Sequence, residues 1–547
     1  MTQQTRMETI NLATDVLVVG AGMTGVKAAT EIAASGYKVV LIDEGSGLGM
    51  APADTVVDLD GEEQAAQEAL VASVNDSEMI EVMTGTRMDG AAGVPGDFRV
   101  WLSGSDDIVE KSVGAIVVAS ELVACPLNEA YGLNLSDTVV TQSQLEAALR
   151  ANPSALAGKS VAFMMGLAQD GNPLVLERVL KSVLAVENIE DTSAYVFAGD
   201  LKVAEDGLER LYLECRDKGT MYVKLNEMPA VTQAEGTLSI TYDDPVLQRK
   251  VQLTPDMIVV EEAIGANEVN TALAEMLKIN VGSMGFLQTD NVHRYPVSTN
   301  REGIFVVGGS RRAKKRYGAL MDAENAAIRI RSLLGDGTIT VPADKAVLDT
   351  GKCTFCLTCY RCCPHGAIFW SADNKPVISP VACQGCGICA SECPMDAIQI
   401  GGFNDAEMID QVTRSATAKD GDHPTIVAFC CQNSGLEAAR MAESFGMPLP
   451  KGLKTVAVPC AGKVDIDYVM HALAEGADGV VVMACHNGNC KSENGSLYAN
   501  WRTANAQDMI EAIGLEKDRI CFATTASNMG ADFSKILMDM EATLTSK

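Results

Sequence analysis

The stretch Cys353-Thr-Phe-Cys356-Leu-Thr-Cys359-Tyr-Arg-Cys-Cys363-Pro364 returns as Cys383-Gln-Gly-Cys386-Gly-Ile-Cys389-Ala-Ser-Glu-Cys393-Pro394. Each matched cysteine of the second copy lies 30 residues after its counterpart, and Ala367-Ile368 and Ala397-Ile398 keep the same offset. The segment is an internal duplication. Two-residue gaps let a tight loop present three thiolates to one face of an iron-sulfur cube, while the fourth cysteine, fixed by the following proline, serves the other cube. The register predicts one 4Fe-4S cluster on Cys353, Cys356, Cys359 and Cys393, and a second on Cys383, Cys386, Cys389 and Cys363. A disulfide framework or a zinc site would have to imitate this register at eight positions. Cys362 is surplus to the pattern and reads as a packing thiol.

Composition sets limits on the rest. With 547 residues, 47% of them apolar, the chain can bury several cores. A net charge of −29 argues against nucleic acid or an anionic membrane surface as partner. Met1-Thr-Gln-Gln-Thr-Arg6 holds no apolar h-region and no window approaches 18 uninterrupted apolar residues, so neither export nor membrane insertion is expected. The expected location is cytoplasmic, and seventeen cysteines in a reducing compartment read as metal ligands.

From its start, the chain gives a buried-strand signal, Asp15 to Val19, running into Gly20-Ala-Gly22-Met-Thr-Gly25, then a helical stretch from Val26 to Ala34. A second strand, Lys38 to Ile42, ends in Asp43. Glycines here permit a tight turn and close approach of a pyrophosphate to a helix N-terminus, and the acid accepts from a ribose hydroxyl. An acid rather than an arginine disfavours a 2′-phosphate. Ile304-Phe-Val-Val-Gly308-Gly309-Ser310, followed by helical Gly318 to Leu334, looks like the second flavin motif of two-dinucleotide-domain flavoproteins, so FAD fits better than NAD. Gly114 to Ser120 resembles their Ala-Thr-Gly strand, with Ser120-Glu121 replacing Thr-Gly. In the middle region, strands are expected at Ser160 to Met165, Ser193 to Phe197 and Met221 to Val223. The loop Met164-Met-Gly166-Leu-Ala-Gln-Asp-Gly171 is not a nucleotide fingerprint, which argues against a nicotinamide site. The basic island Arg311-Arg-Ala-Lys314-Lys315-Arg316 reads either as a solvated helix entrance or as cations beside the flavin or a docking patch. Gly335 to Pro342 reads as a linker.

After Gly402 a third unit alternates strands and helices. Runs ending at Cys431, Cys460 and Cys485 predict a parallel sheet whose carboxyl edge gathers these thiols, with Cys490 returned by the loop His486-Asn-Gly488-Asn. Four such thiols suit a 2Fe-2S centre; buried structural cysteines and zinc are the other readings. Cys430 competes with Cys431. Cys521, within its strand, reads as core.

In this order of parts the chain resembles the heterodisulfide reductase A-like iron-sulfur flavoproteins with a fused hydrogenase-delta-subunit domain, and among them the quinone-interacting membrane-bound oxidoreductase (Qmo-type) subunits. The carrying motifs are the glycine loop, the cysteine duplication, Val458-Pro-Cys460-Ala-Gly462 and Ala484-Cys485-His-Asn-Gly488-Asn-Cys490. The resemblance implies FAD at Gly20, Gly22, Gly25, Asp43, Gly308 and Gly309, with Lys314 beside the flavin, and clusters at the cysteines above. Phe429-Cys-Cys431-Gln-Asn-Ser434 carries serine where the delta-subunit motif has its second cysteine, and residues 51 to 352 hold only two cysteines, which argues against the extra clusters of a bifurcating A-type protein.

The expected fold is α/β. Residues 1–157 and 266–345 form a Rossmann-like FAD unit interrupted by a degenerate nucleotide-binding-like domain at 158–265. A 2x(4Fe-4S) ferredoxin unit follows at 346–402 and a parallel α/β iron-sulfur domain at 403–547. The expected function is an electron-relay subunit between a membrane quinone-reactive partner and a cytoplasmic redox protein such as adenylylsulfate reductase. The alternatives are a bifurcating subunit tied to hydrogenase or formate dehydrogenase, and a self-contained NAD(P)H oxidoreductase. No residue is assigned a catalytic proton-transfer or nucleophilic role.

Overall fold

The computed structural model describes residues 6–49, 61–104, 107–234, 237–290, 295–371 and 375–546. The first five residues of the N-terminal stretch discussed above lie outside them.

The first sheet is five parallel strands in the order Ile304–Val306, Ala115–Val118, Val16–Val19, Val39–Asp43 and Ile80–Thr84. Its central strands, Val-Leu-Val-Val and Ala-Ile-Val-Val, are almost entirely buried because helices cover one face and an antiparallel three-stranded layer, Arg87–Val94, Asp97–Ser103 and Ile108–Val113, covers the other. The helix Met23–Ala34 starts right after Gly22, earlier than its apolar run suggests. It packs against the long helix Arg316–Leu334, whose Ala323, Ala326 and Ala327 permit close approach.

A second parallel sheet runs Val139–Thr141, Met257–Val260, Ser160–Met165, Ser193–Ala198, Met221–Lys224. Val139–Thr141 and its capped helix Gln142–Ala151 therefore belong to the middle unit, which corrects the expected boundary at 157. Three residues, Val-Val-Thr, carry no readable period, and only the long-range pairing with Met257–Val260 places them. The neck between the two units is the antiparallel pair Val123–Pro126 and Glu262–Gly265. The expected linker after Gly335 is likewise a strand at Thr338–Pro342, paired with Met7–Asn11. Its alternating Ile339 and Val341 cover the flavin-unit core.

The cysteine duplication is closed by Ala346–Leu348 against Ile398–Ile400 and by Ile368–Trp370 against Pro376–Ile378. Last comes a parallel sheet of Leu453–Val458, Ile426–Cys431, Gly479–Ala484 and Ile520–Thr524, covered by the helices Asp405–Thr417, Gly435–Ser444, Ile466–Ala474, Gly495–Ala512 and Gly530–Thr545. All its strands run the same way, so their carboxyl ends share one edge. Among the described residues no helix is long and apolar enough to cross a membrane.

Candidate functional site: a glycine-rich cleft and three thiol quartets

The glycine loop sits where the first strand meets its helix. Gly20 has φ +103°, and a Cβ there would lie 2.5 Å from the Ala119 carbonyl oxygen. A Cβ on Gly25 would meet the Gly20 carbonyl oxygen at 1.8 Å; this glycine lets the helix pack on the strand. Gly308, at φ +58°, leaves no room for a Cβ beside Thr24, and a Cβ on Gly309 would lie 2.7 Å from the Leu122 amide nitrogen. Both late glycines thus press against the first helix and the strand end after Ala119.

Asp43 accepts hydrogen bonds from the amides of Ala21 at 2.6 Å and Gly45 at 2.7 Å, which ties the second strand to the loop and still leaves lone pairs for a hydroxyl. Gly20, Asp43, Ser120, Asn267 and Leu273 are among the residues lining a cleft of about 730 Å³, within the usual range for a cofactor site. Glu121, which stands where the related strand has glycine, takes a position that the sequence does not reveal. A Cβ on Gly22 would lie 2.0 Å from Glu121 Oε1, so this side chain covers the helix N-terminus and has to turn aside for a pyrophosphate.

The basic island is not a solvated helix entrance. Arg311 donates to Asp322 at 2.8 Å, Lys314 pairs with the other oxygen of the same buried carboxylate, and the Gly308 amide donates to it at 3.1 Å. Burial lowers the proton affinity of Lys314 against the pull of Asp322. Lys315 reaches Glu177 of the middle unit at 3.3 Å, while Arg312 is exposed. Asp322, four helical positions after Gly318, is the organising acid of this corner, and only its place inside an apolar helix face signals it.

In the middle unit the amides of Gly166, Leu167 and Ala168 are already engaged. Glu261 accepts from Gly166 at 2.9 Å and from Tyr131 at 2.6 Å, and the Tyr131 hydroxyl accepts from Leu167 and Ala168. A buried acid and phenol therefore occupy the strand-to-helix loop where a nucleotide-binding unit would present free amides to phosphate.

In the duplication, Cys353, Cys356, Cys359 and Cys393 line one small cavity rimmed by Phe355, Trp370 and Met395. Cys356 is exposed, so this quartet lies at the surface. The second quartet is deeper: Cys383 and Cys389 are buried, and burial raises the proton affinity of Cys363, Cys383, Cys386 and Cys389. Repeat symmetry extends to backbone donors: the Ala367 amide donates to Cys363 Sγ at 3.4 Å and the Ala397 amide to Cys393 Sγ at 3.3 Å. Such bonds to sulfur are one determinant of cluster potential. Cys362 is buried with its thiol toward the Cys359 carbonyl.

At the C-terminal sheet edge, Cys431 Sγ and Cys485 Sγ lie 3.8 Å apart. Cys460 hydrogen-bonds to Cys431 and Cys490, and Cys485 to the same two, so the four sulfurs close a ring. Those bonds hold the thiols of Cys431 and Cys490 below the ordinary range and push the other two up. Cys430 points to the opposite face, buried with Phe533 and Leu537, its thiol raised to about 12 by burial. Cys521 is partly buried against that same face of the sheet. Gly495 opens the helix beside the ring; a Cβ there would lie 2.4 Å from Cys460 Sγ and 3.2 Å from Cys490 Sγ.

The second and third quartets abut. A Cβ on Gly462 would lie 2.6 Å from Ile388, the residue before Cys389, and one on Gly387 would lie 2.8 Å from the Lys463 side chain. Arg502 clamps the contact, donating to the carbonyls of Gly462 and Val464 at 2.8 Å and to Glu392 at 2.5 Å. Fully buried Lys463 binds Asp405 at 3.0 Å. No spacing in the sequence points to Arg502, Lys463 or Gly495.

Three family models match: an NAD(P)-binding Rossmann-like domain at residues 18–66, a 4Fe-4S binding domain at 376–399, and the methyl-viologen-reducing hydrogenase delta subunit at 426–546. The A-type subunit of the ferredoxin:CoB-CoM heterodisulfide reductase from Methanosarcina mazei is 24% identical over 79% of this chain and 57% of its own length. The chain thus spans a little over half of that relative. The D-type iron-sulfur subunit of the F420-non-reducing hydrogenase from Archaeoglobus profundus is 32% identical over 22% of this chain and 88% of its own. Among solved structures, the thioredoxin reductase of Lactococcus lactis is 18% identical, with a TM-score of 0.43 over 59% of this chain and 99% of its own. The chain joins a Rossmann-like unit and a 4Fe-4S binding domain, in a span similar to the heterodisulfide reductase A subunit of Methanosarcina mazei, to a further domain through which it belongs to the hydrogenase delta-subunit family.

Proposed function

We propose that this chain is an iron-sulfur flavoprotein electron-relay subunit of a heterodisulfide reductase-like complex, closest to the B-type subunit of a quinone-interacting membrane-bound oxidoreductase. It would pass electrons between a quinone-linked membrane partner and a cytoplasmic reductase such as adenylylsulfate reductase. The observation carrying this reading is the arrangement of thiols: one quartet at the surface, one buried, and one at a sheet edge in van der Waals reach of the buried quartet through Ile388, Gly462 and Gly495.

The residues fit the groups. Cys353, Cys356, Cys359 and Cys393 would hold one 4Fe-4S cluster, Cys383, Cys386, Cys389 and Cys363 a second, and Cys431, Cys460, Cys485 and Cys490 a 2Fe-2S cluster. Gly20, Gly22, Gly25, Asp43, Gly308 and Gly309 would cradle FAD. When bound, the flavin exchanges two electrons and the clusters one each, which lets a two-electron exchange be divided. Asp322 holds Gly308 and Lys314 in register, and Arg502 and Lys463 fix the buried quartet against the sheet-edge ring. Tyr131 and Glu261 filling the middle loop speaks against the self-contained NAD(P)H oxidoreductase.

A second reading, a bifurcating heterodisulfide reductase A-type protein coupled to hydrogenase, draws support from the relatives named above. Reduction of the purified complex by a quinol analogue, compared with reduction by hydrogen and a hydrogenase partner, separates the two. The relay reading expects flavin bleaching and cluster signals with the quinol. Bleaching with hydrogen alone would replace it by the second reading, and rapid bleaching by NADH by the third.

A further inference from the structure

Beneath the flavin unit, where it meets both iron-sulfur units, lies a cavity of about 120 Å³ lined by residues that include Ser298, Glu302, Arg329, His365, Gln384 and Lys491. Gln384 follows Cys383, His365 stands two residues after Cys363, and Lys491 follows Cys490. The wall therefore draws on loops of two thiol quartets as well as on the flavin unit.

Three buried polar atoms here have no protein partner among the described residues: Ser298 Oγ, Arg329 Nε and His365 Nε2. His365 is 4% exposed. Its Nδ1 lies 2.9 Å from the Asn300 carbonyl oxygen, which can only accept, so in the neutral ring Nε2 is a bare acceptor. Arg329 Nε can only donate. An occupant that satisfies both has to donate and accept, which rules out a bare cation and a fully ionised oxyanion. Water meets every requirement, and the space suits about four molecules at roughly 30 Å³ each. Asp290, Asn300 and Lys491 also line an open cleft of about 560 Å³, so the water has a route to solvent.

We propose that this cavity is a water-filled proton site, in which Glu302 takes up one proton from solvent as one electron reaches the buried thiol quartet. The proposal rests on the reading of that quartet as a 4Fe-4S site. Glu302 is placed for the role. It shares the cavity with Gln384 and His365, which stand one and two residues after Cys383 and Cys363, and Asn300 donates to the carbonyl of Pro364, so the buried quartet lies against this segment. Burial raises the Glu302 carboxyl, Arg329 at 3.7 Å opposes that, Asp290 reinforces it, and Lys345 and Lys491 oppose it. His365 lines the same cavity. Added negative charge nearby favours protonation of this carboxylate further. In the coupled step the electron comes from the reductant, an O–H bond of a cavity hydronium breaks as one forms on Glu302, and the water left behind exchanges with solvent protons through the cleft.

The test is a redox titration of the fully loaded chain with dithionite between pH 6 and 9, following the cluster signal that Cys383→Ser abolishes, with reduced-minus-oxidised infrared spectra. In the wild type the potential should fall as pH rises, at a slope approaching the tenfold change per pH unit that equals 59 mV for one electron, with a carboxyl band appearing on reduction. Glu302→Gln should flatten the slope and remove the band; Glu302→Asp, which keeps the carboxylate, should retain both. A flat wild-type potential, or a band that survives in Glu302→Gln, overturns the proposal even where the cluster is present. If no such cluster signal develops in reconstituted wild type, the two-cluster reading falls and this proposal with it.

Discussion

Single glycines mark the places where a cofactor or a sulfur needs the room of a side chain. At Gly22 a valine would strike the Glu121 carboxylate and fill the space over the helix N-terminus. Gly22→Val is expected to lose flavin on gel filtration while keeping the cluster absorption. Glu121→Gln should act in the opposite sense. It removes a negative charge from beside a helix N-terminus that has to receive a pyrophosphate, an effect worth about 0.3–1 kcal/mol, and FAD binding followed by flavin fluorescence should tighten by about two- to fivefold. At the sheet edge, Gly495→Ala puts a methyl group onto Cys460 and Cys490. Iron analysis should show loss of about two iron atoms per chain with the cubanes retained. The cysteines and the glycine loops were readable because their spacing is local. Asp322, Gly495 and Arg502 were not, nor was the reach of Glu121 to Gly22, because each acts on a residue that only the fold brings near.

At the scale of the element, the two copies of the cysteine loop solve the same backbone problem differently. The short helices Thr358–Cys362 and Ile388–Ser391 are both entered through a left-handed residue, Leu357 at φ 65° in the first copy and Gly387 at φ 84° in the second. A non-glycine residue in that conformation costs roughly 1–2 kcal/mol. The first copy holds a half-buried leucine at the wall of the surface cavity, while Gly387 is pressed by Lys463. Leu357→Gly should therefore keep a full complement of iron, whereas Gly387→Ala should lower the melting temperature and weaken the buried cluster, read as faster bleaching of its visible absorption under chelator. The parallel strands with continuous apolar runs were legible, as in Val16–Val19, Ala115–Val118 and Gly479–Ala484. Many others were not: the antiparallel layer Arg87–Val94, Asp97–Ser103 and Ile108–Val113 carries a mixed pattern, Val139–Thr141 is too short to show a period, and Thr338–Pro342 pairs with a strand at the far end of the flavin unit's sequence, a partner no local pattern reveals.

For the whole molecule, the middle unit is a five-stranded parallel α/β sheet whose loop after Ser160–Met165 is closed by its own side chains. Glu261 answers three donors and Tyr131 caps two amides. Glu261→Gln leaves part of this set poorly matched and should cost about 1–3 kcal/mol, seen as a lower denaturation midpoint, without any gain in NADH binding by calorimetry. The unit also rests on Arg178, whose guanidinium binds Glu146 and Glu262 in a buried network. The ferredoxin unit is held between its neighbours: Asn300 donates to the Pro364 carbonyl, Lys278 to Tyr360, and Arg502 to Glu392. Sequence reading supplied the order of the units along the chain. That the buried quartet and the sheet-edge ring abut came only from the packing, since the contacts join residues 387–392 to residues 462–502. Counting iron and acid-labile sulfide per chain after anaerobic reconstitution decides whether one chain holds two cubanes and a diiron centre. About ten iron atoms per chain are expected; fewer than about six in fully reconstituted protein would contradict that assignment.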